Sequence, residues 1–480
     1  MMKRLSFIWI ILLALTVTGC GPNPEPTPTE TAATETAVPI AAAATDTSEP
    51  KPTDTPIPAT VTDAPEPATA TAAPTVTDEP EAVETAVSPT DTAAPEPTDT
   101  AVPAASTATT ESEETAVSPT AETSPTSPPA TSPPVAPGGD VPVPTDANYP
   151  RNDDRVGWEN RINVPARFSV TYVGRIEAHP TSITFGPDSL LYIAVQEGTI
   201  YTMNANGNAG TYAGGFISPT GIAFRPGTGQ LYVSSRVVDE NIGGESQVSI
   251  VGQGQLIGGL PCCYTSFHAA NGIAFGPDGF GYVGVGARAD HGEILFGEHA
   301  GEQDELHPLE ASILRFNPDT GEVNVYARGL RNPYDIAWDA NNQLWATDNA
   351  PDYGPNEELH RIVPGGEHGY PWYDCDVCFS PPPGVTVLQP TWMFTPHSSP
   401  TGITAYLGDQ FPGYYNSLFL TFWSSFVGAQ KVVRMTPGGG SATNFATGFA
   451  APIDVTVSPD GSLYVADWAT GIIFRISYTG

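Results

Sequence analysis

Basic residues are scarce in this 480-residue sequence, where 18 Lys and Arg stand against 53 Asp and Glu and the formal net charge is −35. So acidic a chain repels the phosphates of nucleic acids, which disfavours DNA or RNA as a partner. The G-x-S-x-G, H-E-x-x-H and P-loop patterns are missing from the folded part, which disfavours the hydrolase and nucleotide-binding classes that they mark. A haem-binding C-x-x-C-H is also absent, so a redox activity would need a separate electron acceptor.

Long apolar runs are few, and one of them extends from Leu5 to Val17 behind the basic pair Lys3-Arg4. This run is too short for a comfortable membrane span and is typical of a signal peptide. The small residues before Cys20, in Val-Thr-Gly-Cys, indicate a bacterial lipoprotein cleavage site, although an ordinary signal peptide with an incidental cysteine is the alternative. Residues 1–20 therefore predict an extracytoplasmic lipoprotein that is attached to the cell membrane only through acyl chains on Cys20.

Aromatic and large aliphatic residues are nearly missing from the next segment, which consists mainly of Thr, Pro, Ala, Glu and Ser up to about residue 150. Such a composition cannot bury enough apolar surface to offset the entropy lost on ordering. About twenty acidic residues face the single basic Lys51 there, so this segment carries over half of the net charge. We predict a disordered, semi-stiff linker over residues 21–154 and a folded domain over residues 155–480.

Cysteines are also few: besides Cys20 there are Cys262, Cys263, Cys375 and Cys378. Four cysteines in an exported domain predict two disulfides, for which three connectivities are possible. We expect them to join two long loops. A zinc site made from the adjacent pair and the C-x-x-C is the alternative.

Against these absences stands a repeat of six similar units in the folded part. They occupy residues 180–196, 219–236, 271–288, 332–349, 400–423 and 451–468. Each unit is an apolar strand, a turn rich in Pro, Asp or Gly, and a second strand built on Leu-Tyr-Val or a close variant, which is the pattern of a β-hairpin. Segments such as GTIYTM, ASILRF, KVVRM and GIIFRIS supply third strands. The sequence therefore predicts an all-β, six-bladed β-propeller with four strands per blade, whereas a β-sandwich would poorly explain six equivalent hairpins.

This architecture places chemistry on one face. In every hairpin the start of the first strand and the end of the second strand lie on the same side, and radial repetition gathers those ends around the propeller axis. The polar residues gathered there are His268, Arg331, Asn332 and His397 at strand starts and Gln196, Arg236, Arg288, Asp348, Asn349, Ser424 and Asp467 at strand ends. The long insertions 236–260, 288–310, 349–370 and 372–398 fall on this face too, where loops on a rigid scaffold carry function.

Two of these positions suggest chemistry by residue type. His268 has a side chain that titrates near neutral pH and is a candidate general base, although capping or packing of a loop is the commoner role of a single histidine. The pair Arg331-Asn332 offers a guanidinium fork and an amide, whose alternative role is to satisfy carbonyl groups inside the propeller channel.

The loop after the fourth repeat is rich in oxygen ligands. It contains the carboxylates of Asp352, Glu357 and Glu358 and the backbone carbonyls around Gly354-Pro355. Hard oxygen donors on a flexible backbone suit Ca²⁺. No D-x-D-x-D-G loop is present, so the donor type and not the spacing supports this prediction.

Motif succession adds a family resemblance. From about Val164 to the C-terminus the chain, with HAANGIAFGPDG, ARGLRNPYDIAWDANNQLWATDN, GPNEELHRIVPGGEHGYPW, HSSPTGI and PIDVTVSPDGSLYVAD, resembles the glucose/sorbosone dehydrogenase family of soluble PQQ-dependent aldose dehydrogenases. The resemblance implies a six-bladed propeller, with His268 removing the proton of the sugar's anomeric hydroxyl while hydride passes to PQQ. It also implies that Arg331 and Asn332 contact the quinone. The carbonyls of Gly354 and Pro355 would bind the Ca²⁺ that polarises the quinone, with Glu358 in the same loop.

The chain departs from this family where PQQ carboxylates would bind. Ala451 and Ile453 stand where the family has arginines, Ser424 lies where it has a cofactor-binding lysine, and Ala-Asn-Gly at 270–272 replaces its Gly-Gly-Arg run. PQQ has three carboxylates, and each charge-assisted contact contributes roughly 1.5–3 kcal/mol.

We therefore hypothesise that Arg288 and Arg236, which stand at strand ends, substitute for the missing cations. The leading prediction is a Ca²⁺- and PQQ-dependent sugar oxidoreductase. The alternatives are a non-catalytic Ca²⁺-binding propeller that binds carbohydrate or a surface partner, and a Ca²⁺-dependent sugar lactonase.

Overall fold

The computed structural model describes residues 138–238, 242–352, 354–372 and 378–480. The predicted signal peptide, the predicted lipidation site Cys20, the linker up to residue 137 and Cys375 lie outside these residues. Within the described part of the chain, no helix combines the length and the apolar character needed to cross a membrane.

Six four-stranded antiparallel sheets form the domain, which confirms the predicted six-bladed β-propeller. Blade 1 consists of β2 (Pro180–Phe185), β3 (Leu191–Val195), β4 (Thr199–Met203) and β5 (Ala209–Gly214); blade 2 of β6 (Ile217–Phe224), β7 (Leu231–Arg236), β8 (Glu245–Ile250) and β9 (Gly254–Pro261). Blade 3 consists of β10 (Ala270–Phe275), β11 (Gly281–Val285), β12 (Ser312–Phe316) and β13 (Val323–Arg328); blade 4 of β14 (Pro333–Trp338), β15 (Leu344–Asp348), β16 (Glu357–Arg361) and β17 (Trp392–Phe394). Blade 5 consists of β18 (Pro400–Ala405), β19 (Leu418–Phe422), β20 (Lys431–Met435) and β21 (Ala442–Thr447), and a short 3₁₀ turn, Pro437–Gly439, links its last two strands.

Blade 6 closes the ring with strands from both ends of the domain. It consists of β22 (Pro452–Val457), β23 (Leu463–Asp467), β24 (Ile472–Tyr478) and β1 (Phe168–Arg175). The outer strand β1 pairs antiparallel with β24, with Phe168 opposite Tyr478 and Arg175 opposite Ile472. The helix α1 (Arg155–Arg161) precedes β1 and buries Trp158 completely against Phe474, at a ring-centroid distance of 5.9 Å. This pairing ties the start of the folded domain to its end.

The core lies between neighbouring blades. Every residue of the second strand of each blade, from β3 to β23, is buried. A strand that is covered on both faces carries a continuous apolar run and no alternation, as in the Leu-Tyr-Val segments of the repeat. By contrast, the outer strand β5 is almost wholly exposed. The repeat was therefore readable in the inner hairpins, where burial constrains the residues.

The segment before α1 lies along blade 5. The backbone N–H of Val141 donates to the carbonyl of Asn444 at 3.1 Å, and the Thr447 hydroxyl donates to the carbonyl of Pro142 at 2.6 Å. Composition placed residues 138–154 in the linker, yet these residues contact the propeller. The difference arises because hydrogen bonds to the outer strand of a blade, β21, do not require apolar side chains.

Candidate active site

A cavity of about 230 Å³ lies where the strand starts and strand ends of several blades meet. Its lining includes Tyr264, Phe267, His268, Arg331, Asn332, Asn349, Ala350, Asp352, Glu357, His397, Ser399, Trp423, Ser424, Phe426 and Ile453. Most of these residues stand at the start of an inner strand, the end of a second strand or the loop between β15 and β16. The structure thus brings together the pair Arg331-Asn332, His268 and the acids Asp352 and Glu357, all of which the sequence placed on one face.

His268 lies at the entrance to β10 and is only 5% exposed. Burial and then the positive charge of Arg331 lower its pKa well below the ordinary value, while a hydrogen bond to the Ala287 backbone opposes the shift. The imidazole is therefore neutral at pH 7. Its Nδ1 has no hydrogen-bond partner among the described residues. His268 lines the cavity as a residue, and a buried nitrogen without a partner calls for a functional explanation.

Arg331 is also buried, but its guanidinium is fully engaged. It donates through Nε to the Asp290 carbonyl (2.9 Å), through Nη1 to the carbonyls of Asn349 (3.1 Å) and Ala350 (2.9 Å), and through Nη2 to the carboxylates of Asp290 and Asp352. A guanidinium has five N–H donors, and each one points at a protein oxygen here. The structure thus gives Arg331 the role that the sequence analysis kept as its alternative, which is to satisfy carbonyl groups and hold the loop after β15.

Asn332 is positioned from three sides. Its backbone N–H donates to Asp348 Oδ1 at 2.7 Å, and its side-chain oxygen accepts from Asn271 Nδ2 at 2.8 Å. Gly286 in blade 3 leaves the space that this arrangement needs, because a Cβ there would lie 2.8 Å from both Asn332 Oδ1 and the Cα of His268. Asn271, at which the chain departs from the family pattern, therefore orients one of the predicted cofactor contacts.

Two acidic residues of the β15–β16 loop line the same cavity. Glu357 accepts hydrogen bonds from the backbone N–H of Ala350 (3.0 Å) and of Ser399 (3.3 Å), and burial raises its pKa to about 8. Burial also raises the pKa of Asp352, against the lowering effect of Arg331. Glu358, which we predicted as the acidic metal ligand of this segment, does not line the cavity, whereas its neighbour Glu357 does. Successive side chains of a strand point to opposite faces, so the carboxylate of Glu358 lies on the other face of β16, beside His360.

Gly354 and Pro355 lie on the loop between the two acids that face the cavity. Gly354 has φ = +119°, in the region that favours glycine. Neither residue lines the cavity itself. The loop carbonyls and the carboxylates of Asp352 and Glu357 form an oxygen-only donor set on one short segment.

The two arginines that we expected to replace the missing cations do not line the cavity. Arg288 is paired with Glu310, lies 3.4 Å from Asp304 and donates to the Glu305 carbonyl at 3.2 Å. Arg236 ends β7 and is 1% exposed, outside the lining of this cavity. Arg236 ends a strand as expected, whereas Arg288 lies three residues beyond the end of β11, where acidic residues hold it. Of the described Lys and Arg residues, Arg331 alone lines the cavity.

Aromatic side chains form another part of the wall. Trp423 meets Phe267 and Trp468 edge-on, at ring-centroid distances of 5.8 and 5.5 Å. Its indole N–H is buried without a hydrogen-bond partner among the described residues. Phe426 is 62% exposed and lies 5.3 Å from the His397 ring. Aromatic faces with a nearby N–H donor suit a ligand that has both C–H surfaces and hydroxyl groups.

The described cysteines depart from the expected pairing. Cys262 is bonded to its neighbour Cys263 at the end of β9, so the expectation that these two join separate loops is wrong. Both are buried and pack against Ala269, next to the predicted base. Cys378 is also disulfide-bonded. This leaves neither cysteine of the adjacent pair as a thiolate ligand, so the alternative zinc site loses them as donors.

The fold and this site define the class of six-bladed β-propellers that have a polar cavity where strand starts and strand ends of several blades meet. The family model of glucose/sorbosone dehydrogenase matches residues 235–475, which is half of the chain. The chain belongs to this family.

Solved structures show the same fold. The soluble aldose sugar dehydrogenase of Escherichia coli in its apo form is 17% identical, with 65% of this chain and 99% of that chain covered and a TM-score of 0.51. The holo form of the pyranose dehydrogenase PQQ domain of Coprinopsis cinerea is 18% identical, with 66% and 97% covered and a TM-score of 0.51. At such identities the likeness shows the architecture alone. No curated protein matches the chain by sequence.

Proposed function

We propose that this protein oxidises aldoses or related sugars in the axial cavity, outside the cytoplasm and attached to the membrane through Cys20. The observation that carries the proposal is His268, which lines the cavity as a buried, neutral imidazole and whose Nδ1 has no hydrogen-bond partner among the described residues. Family membership supplies the class of substrate and of reaction. The aromatic wall at Trp423 supports a sugar as the ligand.

In the proposed reaction His268 takes the proton of the anomeric hydroxyl at Nδ1. The hydrogen on the anomeric carbon leaves as a hydride to a two-electron acceptor of the quinone class, and the sugar becomes a lactone. Arg331 makes the protonated imidazole less favourable, because its charge lowers the pKa of His268. Loss of the proton after the reaction is therefore favourable, and the neutral base is restored.

Calcium fits the donors on the β15–β16 loop. The carboxylates of Asp352 and Glu357 line the cavity, and the carbonyls of Gly354 and Pro355 lie between them in sequence. This all-oxygen set is the kind that Ca²⁺ prefers. A bound Ca²⁺ would act as a Lewis acid on the acceptor's carbonyl and neutralise nearby acids.

The residues present do not fit PQQ as a whole. Its quinone end would find Asn332 and His268, but its three carboxylates would meet Asp352, Glu357 and a guanidinium whose N–H groups already donate to the protein. The proposal therefore defines the acceptor by its class, and PQQ remains the specific acceptor that the family implies. The pyranose dehydrogenase domain with this fold, which is a PQQ domain, supports testing it first.

The acids Asp352 and Glu357 in the cavity, with Arg331 already engaged, also favour a second candidate, a non-catalytic propeller that binds Ca²⁺ and carbohydrate. A lactonase would need carboxylates and amides that converge on a metal. Asp348 and Asp467, two acids expected on this face at strand ends, instead accept backbone N–H groups of Asn332 and Ala451. This leaves Asn349 with the two loop acids as the donors that a lactonase could use.

Reconstitution tests the proposal. The purified protein is loaded with Ca²⁺ and either PQQ or a simple ortho-quinone, and dye reduction is measured with a panel of aldoses. We expect aldose-dependent reduction that His268→Ala abolishes and that His299→Ala, an exposed histidine paired with Glu302, leaves unchanged. Calorimetric sugar binding without dye reduction would establish the non-catalytic, carbohydrate-binding propeller. Hydrolysis of an aldonolactone would establish the lactonase. Absence of all three activities would overturn the proposal.

A further inference from the structure

A second polar cluster lies on the opposite face of β16, away from the cavity. The residues Asp348, Glu358 and His360 are 0%, 6% and 0% exposed. Each offers one carboxylate oxygen or imidazole nitrogen, and these three atoms all lie within 4.8 Å of one another. Cross-strand register brings them together, because Asp348 of β15 pairs directly with Glu358 of β16, and His360 follows two residues later on the same face. Nothing in the proposed sugar chemistry uses this cluster.

The cluster has two acids, and the one basic group among its described members is the imidazole of His360. Like charges directly opposite each other on neighbouring strands destabilise a sheet, and burial increases the cost. Asp348 accepts only backbone N–H groups, from Asn332 at 2.7 Å and Arg331 at 3.0 Å. Glu358 has the imidazole of His360 as its neighbour, with Oε2 2.9 Å from Nε2. In the described part of the chain, no Lys or Arg side chain contacts either carboxylate.

A second histidine supports the orientation of the first. His368 is 2% exposed, and its Nδ1 lies 3.3 Å from Nδ1 of His360. An imidazole that binds a metal through Nε2 usually donates its other N–H to an acceptor, which fixes the tautomer and the ring plane. His368 provides such an acceptor for His360 in the tautomer that carries its proton on Nε2, which gives up the long 3.5 Å contact from the Val363 backbone N–H. Without a metal, the same contacts form a hydrogen-bond chain from Glu358 through both rings, and this is the competing interpretation.

We propose that Asp348, Glu358 and His360 bind a divalent transition metal of the Zn²⁺ type. Two carboxylate oxygens and one imidazole nitrogen suit Zn²⁺, whereas Ca²⁺ prefers oxygen ligands alone. Three protein ligands and one water complete a four-coordinate site. The metal's charge would offset both carboxylates, which the hydrogen-bond chain leaves without a cation. Each oxygen of Asp348 already accepts one N–H and still has a lone pair for the metal.

The site has a structural consequence for the cavity. The backbone N–H groups that Asp348 holds belong to Arg331 and Asn332, and both of these residues line the cavity. A metal on Asp348 would therefore fix the entrance to β14. This role is separate from the Ca²⁺ proposed for the β15–β16 loop, and it does not depend on the sugar chemistry.

Metal titration tests the site without any activity. The full-length protein is stripped with a chelator and titrated with ZnCl₂ alone by calorimetry, and then with Co²⁺ by visible absorption. We expect one Zn²⁺ per chain and at least a tenfold loss of affinity in His360→Asn and in Glu358→Gln. The matched control His299→Ala removes an exposed histidine that also neighbours a glutamate, and it should bind Zn²⁺ like the parent protein. X-ray absorption should show a first shell at about 2.0–2.2 Å that includes one imidazole.

Three results would overturn the proposal. The first is no Zn²⁺ binding to the stripped protein. The second is Zn²⁺ binding that neither variant weakens, because the ion would then sit elsewhere. The third is Ca²⁺ binding that requires Glu358 and not His360. If Glu358→Gln fails to fold, His360→Asn decides by melting temperature: Zn²⁺ should raise that of the parent protein and leave that of the folded variant unchanged.

Discussion

Removal of the Arg331 side chain should destabilise the fold itself, because its guanidinium donates to protein oxygens. In Arg331→Ala, Asp290 would lose the guanidinium that donates to its carboxylate while remaining 1% exposed. Breaking a buried ion pair by removing one partner costs about 3–5 kcal/mol, because the other charge is left without compensation. The carbonyls of Asn349 and Ala350 would also lose their donors. We expect a loss of about 3–5 kcal/mol in the free energy of unfolding.

Urea unfolding followed by tryptophan fluorescence measures this loss. Arg151→Ala is the control, because Arg151 pairs with Asp153 on the surface, where both side chains are more than 70% exposed, and exposed pairs contribute about 0–1 kcal/mol. Adding Asp290→Ala to the Arg331 variant should recover part of the loss, with a coupling energy of about 0.5–3 kcal/mol. A loss below about 1 kcal/mol in Arg331→Ala would refute the conclusion that this guanidinium supports the loop.

Three further predictions concern the propeller axis and the base. Gly272→Ala should cost about 1–3 kcal/mol in urea unfolding, because the new Cβ would lie 2.7 Å from the Asp335 backbone, whereas Gly210→Ala, with its nearest atom at 4.0 Å, should cost little. Burial, and then the charge of Asp454, raise the pKa of Asp335 well above its ordinary value, so the folded state keeps a proton that the unfolded state releases. The free energy of unfolding should therefore fall as pH rises above about 4. In urea unfolding measured across pH, Asp335→Asn should weaken this dependence on pH, and an unchanged dependence would contradict the prediction. Because His268 is neutral well below pH 6.5, kcat/KM should show no rise between about pH 6 and 8 that belongs to this group; a sigmoidal rise that His268 variants remove would contradict it.

The sequence was sufficient for the propeller because the constraint that makes a blade is local. Each inner hairpin needs an apolar strand, a turn and a second strand buried on both faces, and these requirements recur in six places. Closure of the ring was not predictable in the same way. The strand β1 pairs with β24 about 300 residues later, and nothing in its own pattern identifies that partner.

The site was predictable as a location and less so as a set of side chains. Strand starts and ends converge for topological reasons, so His268 and Arg331 lie at one cavity as expected. The direction of a long side chain depends on neighbours that are distant in sequence. Arg288 turns to Glu310, 22 residues away, and Arg331 turns to Asp290, 41 residues away. Strand position alone could not show that these acids would engage both guanidinium groups.

On strand β16, two adjacent glutamates belong to two different polar sites. Glu357 and Glu358 are adjacent in sequence and identical in chemistry, yet the first faces the sugar-side cavity and the second faces His360. The two-residue period of a strand places them in different sites. Both sites meet at Asp348, since this carboxylate lies with the second glutamate and also holds the backbone of the residues that line the cavity. A change on the face of β16 that carries the proposed metal site should therefore reach the residues that line the cavity through Asp348.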